Sequence, residues 1–350
     1  VTGTSRGAAE VPERDDRPHV AARIEDTLHG WRERWGRRRG LVPTVLPYTG
    51  YGGTGWSRIL ARVVLRRRGD VVERVRSVRG WRSFTSIPVG DIAVVIETDT
   101  ATVTARTDRG GVLDASVDLR LPPGWNRIRL RIGDDDAVEM PVFVVDEAVG
   151  FGLVSDIDDT VMVTALPRPF LAAWNTFVLD EHARAPVPGM AVLYERITRS
   201  HPGAPVVYLS TGAWNVAPTL TRFLHRNLYP RGPLLLTDWG PTHTRWFRSG
   251  QEHKRLNLRR LAAEFPTMSW LLVGDDGQHD EQLYGDFARE QPDRVAAIAI
   301  RQLTTSEAVL AGGRSSTGDS APREVPWIYA PDGAGLSSQL RDLGLLDPQA

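Results

Sequence analysis

Hydrophobic and polar positions follow two different rhythms along the chain. Between residues 55 and 146 the segments WSRILARVVLRRR, DIAVVIETD, ATVTARTD, VLDASVDLRL, NRIRLRIG and VEMPVFVVD are short and rich in β-branched residues. Several alternate apolar with polar positions, which puts every second side chain on one face of a strand. Turn signals such as Arg109-Gly110-Gly111 and Pro122-Pro123-Gly124 separate them. Strands at this spacing predict a small antiparallel β-sandwich. From about residue 150 apolar runs alternate with helical patterns instead. Gly152–Ser155, Val206–Leu209, Leu234–Leu236, Trp270–Val273 and Val295–Ile300 read as buried strands. Between them Gly189–Ser200, Asn215–Arg226, Glu252–Phe265 and Asp280–Glu290 read as helices. This alternation predicts an α/β unit built on a doubly wound parallel sheet. Ligands of such sheets bind beyond the carboxyl ends of the strands, so chemistry is sought just after each apolar run.

The flanks add three expectations. Val20, Ile24, Leu28, Trp31 and Trp35 form one stripe at helical spacing, which predicts a helix over 18–37. Its far end is basic (Arg32, Arg34, Arg37, Arg38, Arg39) and suits either anionic lipid or plain solvation of a docked helix. The glycine-rich PYTGYGGTGW, with Tyr48 and Tyr51, reads as a flexible aromatic connector, and 312–325 as a mobile loop. Leu336, Leu340 and Leu343 give the last stretch a short amphipathic pattern. The expected organisation is a tail and helix over 1–45, a β-sandwich accessory domain over 46–148, and the α/β domain with a C-terminal extension over 149–350.

Composition narrows the function classes. A chain of 350 residues suggests two domains, and 41% hydrophobic with 25% charged residues is the balance of a globular protein. Lys+Arg and Asp+Glu are both 43, so no net field draws the chain to nucleic acid, and no nucleic-acid partner is expected. Cysteine is absent, which excludes disulfides, thiolate metal sites and a cysteine nucleophile. No run approaches the roughly 20 apolar residues of a membrane span. The opening VTGTSRGAAEVPERDD lacks the apolar stretch of a signal peptide. A cytoplasmic location is therefore expected, with at most peripheral contact at a membrane. Lys254 is the single lysine beside a large excess of arginine. A lysine retained against that bias marks a position where a compact point charge serves and a broad guanidinium fork does not, unless one codon survived by chance.

Four segments carry candidate chemistry. Asp156-Ile157-Asp158-Asp159-Thr160 follows the first buried run. Two carboxylates about 4 Å apart repel by roughly 4 kcal/mol at an effective dielectric of 20, and a hard cation relieves this. Asp156 and Asp158 share one side of an extended segment, so one can act as nucleophile and the other as general acid. The structural alternative is an acidic turn that caps the next helix. Ser210-Thr211-Gly212 follows the second run and suits hydrogen bonding to a phosphate oxygen, although it is also a common turn. Lys254 opens the helix EHKRLNLRRLAAEF, where it can hold a phosphate or simply face solvent. Gly274-Asp275-Asp276-Gly277-Gln278-His279-Asp280 follows the fourth run. There Asp275 can share a cation with Asp156, Asp280 can orient Lys254, and His279 can lie near the metal or make a structural hydrogen bond.

The order of these segments resembles the haloacid dehalogenase superfamily of phosphotransferases over roughly residues 150–302. Asp156, Asp158 and Thr160 match its DxDxT motif, Ser210 its hydroxyl motif, Lys254 its lysine motif, and Asp275 with Asp280 its acidic motif. Within it, FGLVSDIDDTV and LLVGDDGQHDEQLY resemble the actin-patch-protein type of Mg²⁺-dependent phosphatidate phosphatase, a family with many bacterial members. The resemblance implies an aspartyl-phosphate on Asp156, general acid–base work by Asp158, and Mg²⁺ held by Asp156, Asp158 through its backbone carbonyl, Asp275 and Asp280. Lys254 and Ser210 would hold phosphoryl oxygens, with Thr160, Thr211 and Gly212 completing the substrate contacts. Where the fungal enzymes carry Ser-x-Ser-Pro-Trp, this chain has Ser210-Thr211-Gly212-Ala213-Trp214, which keeps the serine and changes its neighbours. The short stretch 161–209 implies an open mouth, lined by Phe170, Trp174, Phe177, Trp239, His243 and Trp246 or leaving them to packing. The implied partner is a phosphate ester, phosphatidate or a related lipid phosphate. A phosphatase for soluble metabolites or phosphoproteins and a noncatalytic module that binds anionic lipid are the alternatives.

Overall fold

The computed structural model describes residues 31, 34–67, 87–163, 185–237, 243–277, 279–310 and 324–347. The predicted helix over 18–37 lies mostly outside the described residues, as does the loop over 312–325; residues 34–38 are helical.

The first rhythm gives nine strands: β1 (Leu41–Pro47), β2 (Gly50–Gly53), β3 (Trp56–Arg67), β4 (Ile87–Pro88), β5 (Ala93–Glu97), β6 (Thr102–Arg106), β7 (Val112–Val117), β8 (Gly124–Arg131) and β9 (Val138–Val144). They are hydrogen-bonded into one nine-stranded sheet, antiparallel except where β2 runs parallel to β9. Its alternating residues bury Ile59, Ala61, Val63, Val94, Ile96, Ile128, Leu130 and Met140 in a core of their own. Two expectations are corrected here. β1 begins at Leu41 and pairs with β3 along its whole length, so the boundary expected at 45/46 cuts through a strand. The segment around Tyr48 and Tyr51 is no free loop: Gly50–Gly53 is a strand, and both rings are buried. Its glycines mark close backbone approach, because a Cβ on Gly50 would stand 2.6 Å from the carbonyl oxygen of Arg58.

The second rhythm gives β10 (Phe151–Asp156), α1 (Met190–Ser200), β11 (Val206–Ala213), α2 (Ala217–Arg226), β12 (Leu234–Thr237), α3 (His243–Glu264), β13 (Ser269–Asp275), α4 (Asp280–Glu290), β14 (Val295–Arg301), α5 (Thr305–Leu310), β15 (Trp327–Ala330) and α6 (Gly333–Asp342). The strands form a parallel six-stranded sheet in the order β12-β11-β10-β13-β14-β15. Near-continuous apolar runs such as Leu271–Val273 and Ala297–Ile300 are buried, as expected of strands covered on both faces. β10 comes first in sequence and lies at the centre, so the chain steps to one side through β11 and β12 and then to the other through β13 to β15. The two strands that flank β10 therefore deliver their carboxyl ends beside its own. Among the described residues no helix is long and apolar enough to cross a membrane.

Candidate active site

Strand register brings the first two acidic segments together. β10 pairs with β13 so that Ser155 lies opposite Val273, which sets Asp156 beside the Gly274-Asp275 tip. On its other edge β10 pairs with β11, Asp156 opposite Leu209, one residue before Ser210. The apolar strand carries its terminal carboxylate inside with it, and Asp156 is 1% exposed. The chain then turns through Asp159, whose φ of 57° lies in the left-handed region that aspartate tolerates. Arg301, at the end of β14, locks this turn by donating from Nη1 to the Asp159 carbonyl oxygen at 2.7 Å. Glu307 holds Arg301 in turn with both carboxylate oxygens, at 2.8 and 2.9 Å. Sequence reasoning missed Arg301; an arginine that closes the otherwise apolar VAAIAIR is the signal that marks it.

Lys254 reaches this cluster from α3. Its Nζ lies 2.7 Å from Asp156 Oδ1 and 2.6 Å from Asp280 Oδ1. Burial alone would lower the lysine pKa, but attraction to Asp156 and Asp280 outweighs it and holds the group above its ordinary value, as an ammonium. Asp280, the first residue of α4, thus touches the lysine as expected, and the solvated reading of Lys254 is excluded by its burial.

Carboxylate oxygens of Asp156, Asp275 and Asp280 lie within 4.8 Å of one another. Burial, foremost, pushes the carboxyls of Asp156 and Asp275 well above the usual range; the neighbouring acids add to this, while Lys254 opposes it. With all three acids ionised, three carboxylates around one ammonium would carry two negative charges in excess, which one divalent cation would balance. Oδ2 of Asp156 and Oδ2 of Asp280 are buried and accept no hydrogen bond. Buried acceptors of this kind are costly unless something binds them. An all-oxygen donor set suits a hard cation such as Mg²⁺ and not a soft one. The residues present fit such an ion.

The remaining expected residues divide into two groups. The Asp158 carboxylate is not one of the trio; its Oδ2 accepts a hydrogen bond from Ser210 Oγ at 3.2 Å, and Ser210 Oγ accepts one from the Gly212 N–H at 3.0 Å. Asp158, two residues beyond β10, and Ser210, on β11, therefore meet in the buried interior. Thr160 is fully buried and its Oγ1 has no hydrogen-bond partner. Thr211 and Gly212 bind through their carbonyl oxygens to Thr237 Oγ1, at 2.9 and 3.2 Å, which ties the tip of β11 to β12. His279 is exposed at the start of α4. Phe170, Trp174, Phe177 and Trp239 lie outside the described residues, as do the side chains of His243 and Trp246.

The buried acid–lysine centre thus lies at the carboxyl ends of the parallel sheet, with the Ser210 hydroxyl nearby. Residues 151–302 match the family model described as phosphatidate phosphatase APP1, catalytic domain. The chain is 27% identical over 161 residues to the phosphatidate phosphatase APP1 of Saccharomyces cerevisiae, covering 45% of this chain and 27% of that one. It is 24% identical over 188 residues to an uncharacterised protein of Schizosaccharomyces pombe, covering 53% of this chain and 30% of that one. The chain thus spans less than a third of the length of these curated relatives. Among solved structures, a carbohydrate acetylesterase from Xanthomonas citri overlays 87% of this chain and 74% of its own at a TM-score of 0.32 and 10% identity, a likeness that carries no argument. The family match and the yeast relative support a phosphatase enzyme.

Proposed function

We propose that this chain is a Mg²⁺-dependent phosphomonoesterase whose parallel-sheet unit is of the doubly wound, haloacid-dehalogenase type. Its substrate would be phosphatidate or a related lipid phosphate, met at a membrane surface. The observation that carries the reading is the buried meeting of Asp156, Lys254, Asp275 and Asp280, drawn from three strand–helix units within the range the family model matches.

Asp156, Asp275 and Asp280 would hold the ion, with the backbone carbonyl of Asp158. When bound, Mg²⁺ would neutralise and polarise the phosphoryl oxygens. The chain's own residues do the rest. Lys254 fixes Oδ1 of Asp156 and leaves Oδ2 without a hydrogen bond, as an attacking atom requires. Asp156 attacks phosphorus in line, a bond forms to the carboxylate oxygen, and the ester P–O bond breaks. Asp158, hydrogen-bonded to Ser210, gives its proton to the departing alkoxide. It then takes a proton from water as that water attacks phosphorus and frees the Asp156 carboxylate. Ser210 and Lys254 bind the non-bridging oxygens, so the site works by positioning and charge neutralisation.

The test is a phosphate-release screen of the full chain with Mg²⁺, using phosphatidate in vesicles alongside soluble phosphomonoesters. Turnover on vesicles in excess of any soluble ester is expected. Preference for a soluble ester would move the substrate class, and release from neither would end the reading.

A further inference from the structure

Among its contacts with the α/β unit, the antiparallel sheet touches the helix that carries Lys254 and the turn that follows the Ser210 strand. On α3, His253, Asn257, Arg260 and Glu264 recur at helical spacing on one stripe, while Lys254, Leu258 and Leu261 form the neighbouring stripe toward the core. The first stripe meets the antiparallel sheet. Arg58 of β3 donates from Nε and Nη2 to Glu264 Oε1, at 2.9 and 2.6 Å, and Tyr51 donates its hydroxyl to Glu264 Oε2 at 2.7 Å. Asp114 of β7 accepts from Arg58 at 2.5 Å and from Arg260 Nη1 at 2.7 Å. Arg260 also donates to Asn257 Oδ1, and Asn257 Nδ2 donates to the carbonyl oxygen of His253 at 2.8 Å, the residue before Lys254. A continuous polar path thus runs from β7 to the backbone beside the lysine. Separately, the Tyr48 ring stacks on Trp214 at 4.9 Å and its hydroxyl donates to the Trp214 carbonyl oxygen at 3.2 Å. Trp214 follows the β11 tip that carries Ser210.

We infer that the antiparallel sheet is a brace for the catalytic centre, with Asp114 and Tyr48 as positioning residues for Lys254 and for the Ser210 segment. The inference rests on the phosphatase reading for its kinetic consequence and on geometry for the rest. Turning a helix by about 10° moves a side-chain tip at a radius of about 5–6 Å by about 1 Å. A misplacement of that size can cost about a hundredfold in rate. Lys254 must meet Asp156 and Asp280 together, so the rotation of α3 has little tolerance, and the Asp114–Arg260–Asn257 path sets it.

The test compares Asp114→Ala, Asp114→Glu and Tyr48→Phe with wild type in the full chain. Tyr48→Phe keeps the stacked ring and guards against a misfolded Asp114 variant. Steady-state kinetics with p-nitrophenyl phosphate and Mg²⁺ are read beside amide hydrogen exchange of a peptide spanning 250–262. Asp114→Ala should lower kcat about tenfold or more with KM nearly unchanged and speed exchange in that peptide but not in β13. Asp114→Glu should recover part of kcat, and Tyr48→Phe should lose several-fold. Arg106→Ala, which removes an exposed ion pair with Asp91 on the same sheet, should leave both readouts unchanged. Unchanged kcat in Asp114→Ala and Tyr48→Phe overturns the inference, even if exchange rises, because the contact is then structural only. If wild type turns over no phosphoester, the phosphatase reading has failed, and unchanged exchange in Asp114→Ala then overturns the brace independently.

Discussion

Lys254 Nζ stands 2.7 Å from Asp156 Oδ1, and both side chains are buried. This contact decides what a substitution at the lysine would do. Arginine keeps the charge but spreads it over a planar fork that needs more room. We expect Lys254→Arg to lose about a hundredfold or more in kcat while the chain stays folded by circular dichroism. Near-normal turnover would show that the geometry of the ammonium is incidental.

The carboxylate trio predicts a stability effect that needs no substrate. An ion that binds the folded chain alone stabilises it by about 2.7 kcal/mol at a hundred times its Kd. Thermal unfolding should therefore occur at higher temperature in Mg²⁺ than in EDTA, and Asp275→Asn should abolish the difference. Equal melting of wild type in both buffers would argue that the trio holds no cation.

Gly274 lies where β13 passes the start of α4. A Cβ there would stand 2.7 Å from both Asp280 Oδ2 and the Tyr284 ring, and 2.8 Å from Asp280 Cβ. Neither neighbour is a free-swinging side chain, since both are buried. Gly274→Ala should cost about 1–3 kcal/mol in urea denaturation, as overpacking does. It should also cut turnover by pushing Asp280 off Lys254. A variant with wild-type stability and rate would contradict the packing described here.

His253 supplies a pH dependence that does not come from the carboxylate trio. Burial, the largest cause, lowers its pKa to about 4, with Arg260 and Lys254 adding to this against the hydrogen bond to the Leu235 carbonyl. The folded state keeps the ring neutral, whereas the unfolded chain takes up a proton near the ordinary 6.5. Its contribution is therefore fully present above pH 6.5 and is lost as pH falls toward 4. The loss amounts to about 3 kcal/mol over that window. Denaturant titrations of His253→Gln should show a flatter decline than wild type, and parallel slopes would refute the assignment.

Much of the α/β unit was legible because long apolar runs must be buried and helices betray themselves by period. The predicted runs at Val206–Leu209 and Trp270–Val273 fall within β11 and β13, and Asp280–Glu290 is a helix end to end. The meeting of Asp156, Lys254 and Asp280 is expected from the motif order taken with the family resemblance; parallel pairing of β10 with β13 explains why Asp156 and Asp275 share an edge, whereas Lys254 arrives from the middle of α3. What stayed hidden depends on tertiary partners. Gly50–Gly53 looks like a loop by composition and becomes a strand because β3 and β9 flank it. Trp327–Ala330 is too short to show a period and is fixed by pairing with β14. Asp114 carries no local pattern, and the arginine that closes VAAIAIR marks a position without naming its partner; the roles of both arise from residues far away in sequence, Arg260 and Asp159.

The most direct measurement compares wild type with Asp156→Asn for phosphate release in Mg²⁺, with both proteins shown to melt as folded chains. The asparagine keeps the shape of the side chain and removes its negative charge and nucleophilicity. Release by wild type and none above background by the variant is the predicted result. Equal release by the two proteins would mean that phosphorus is attacked by some other group and that the centre described here is not the one at work.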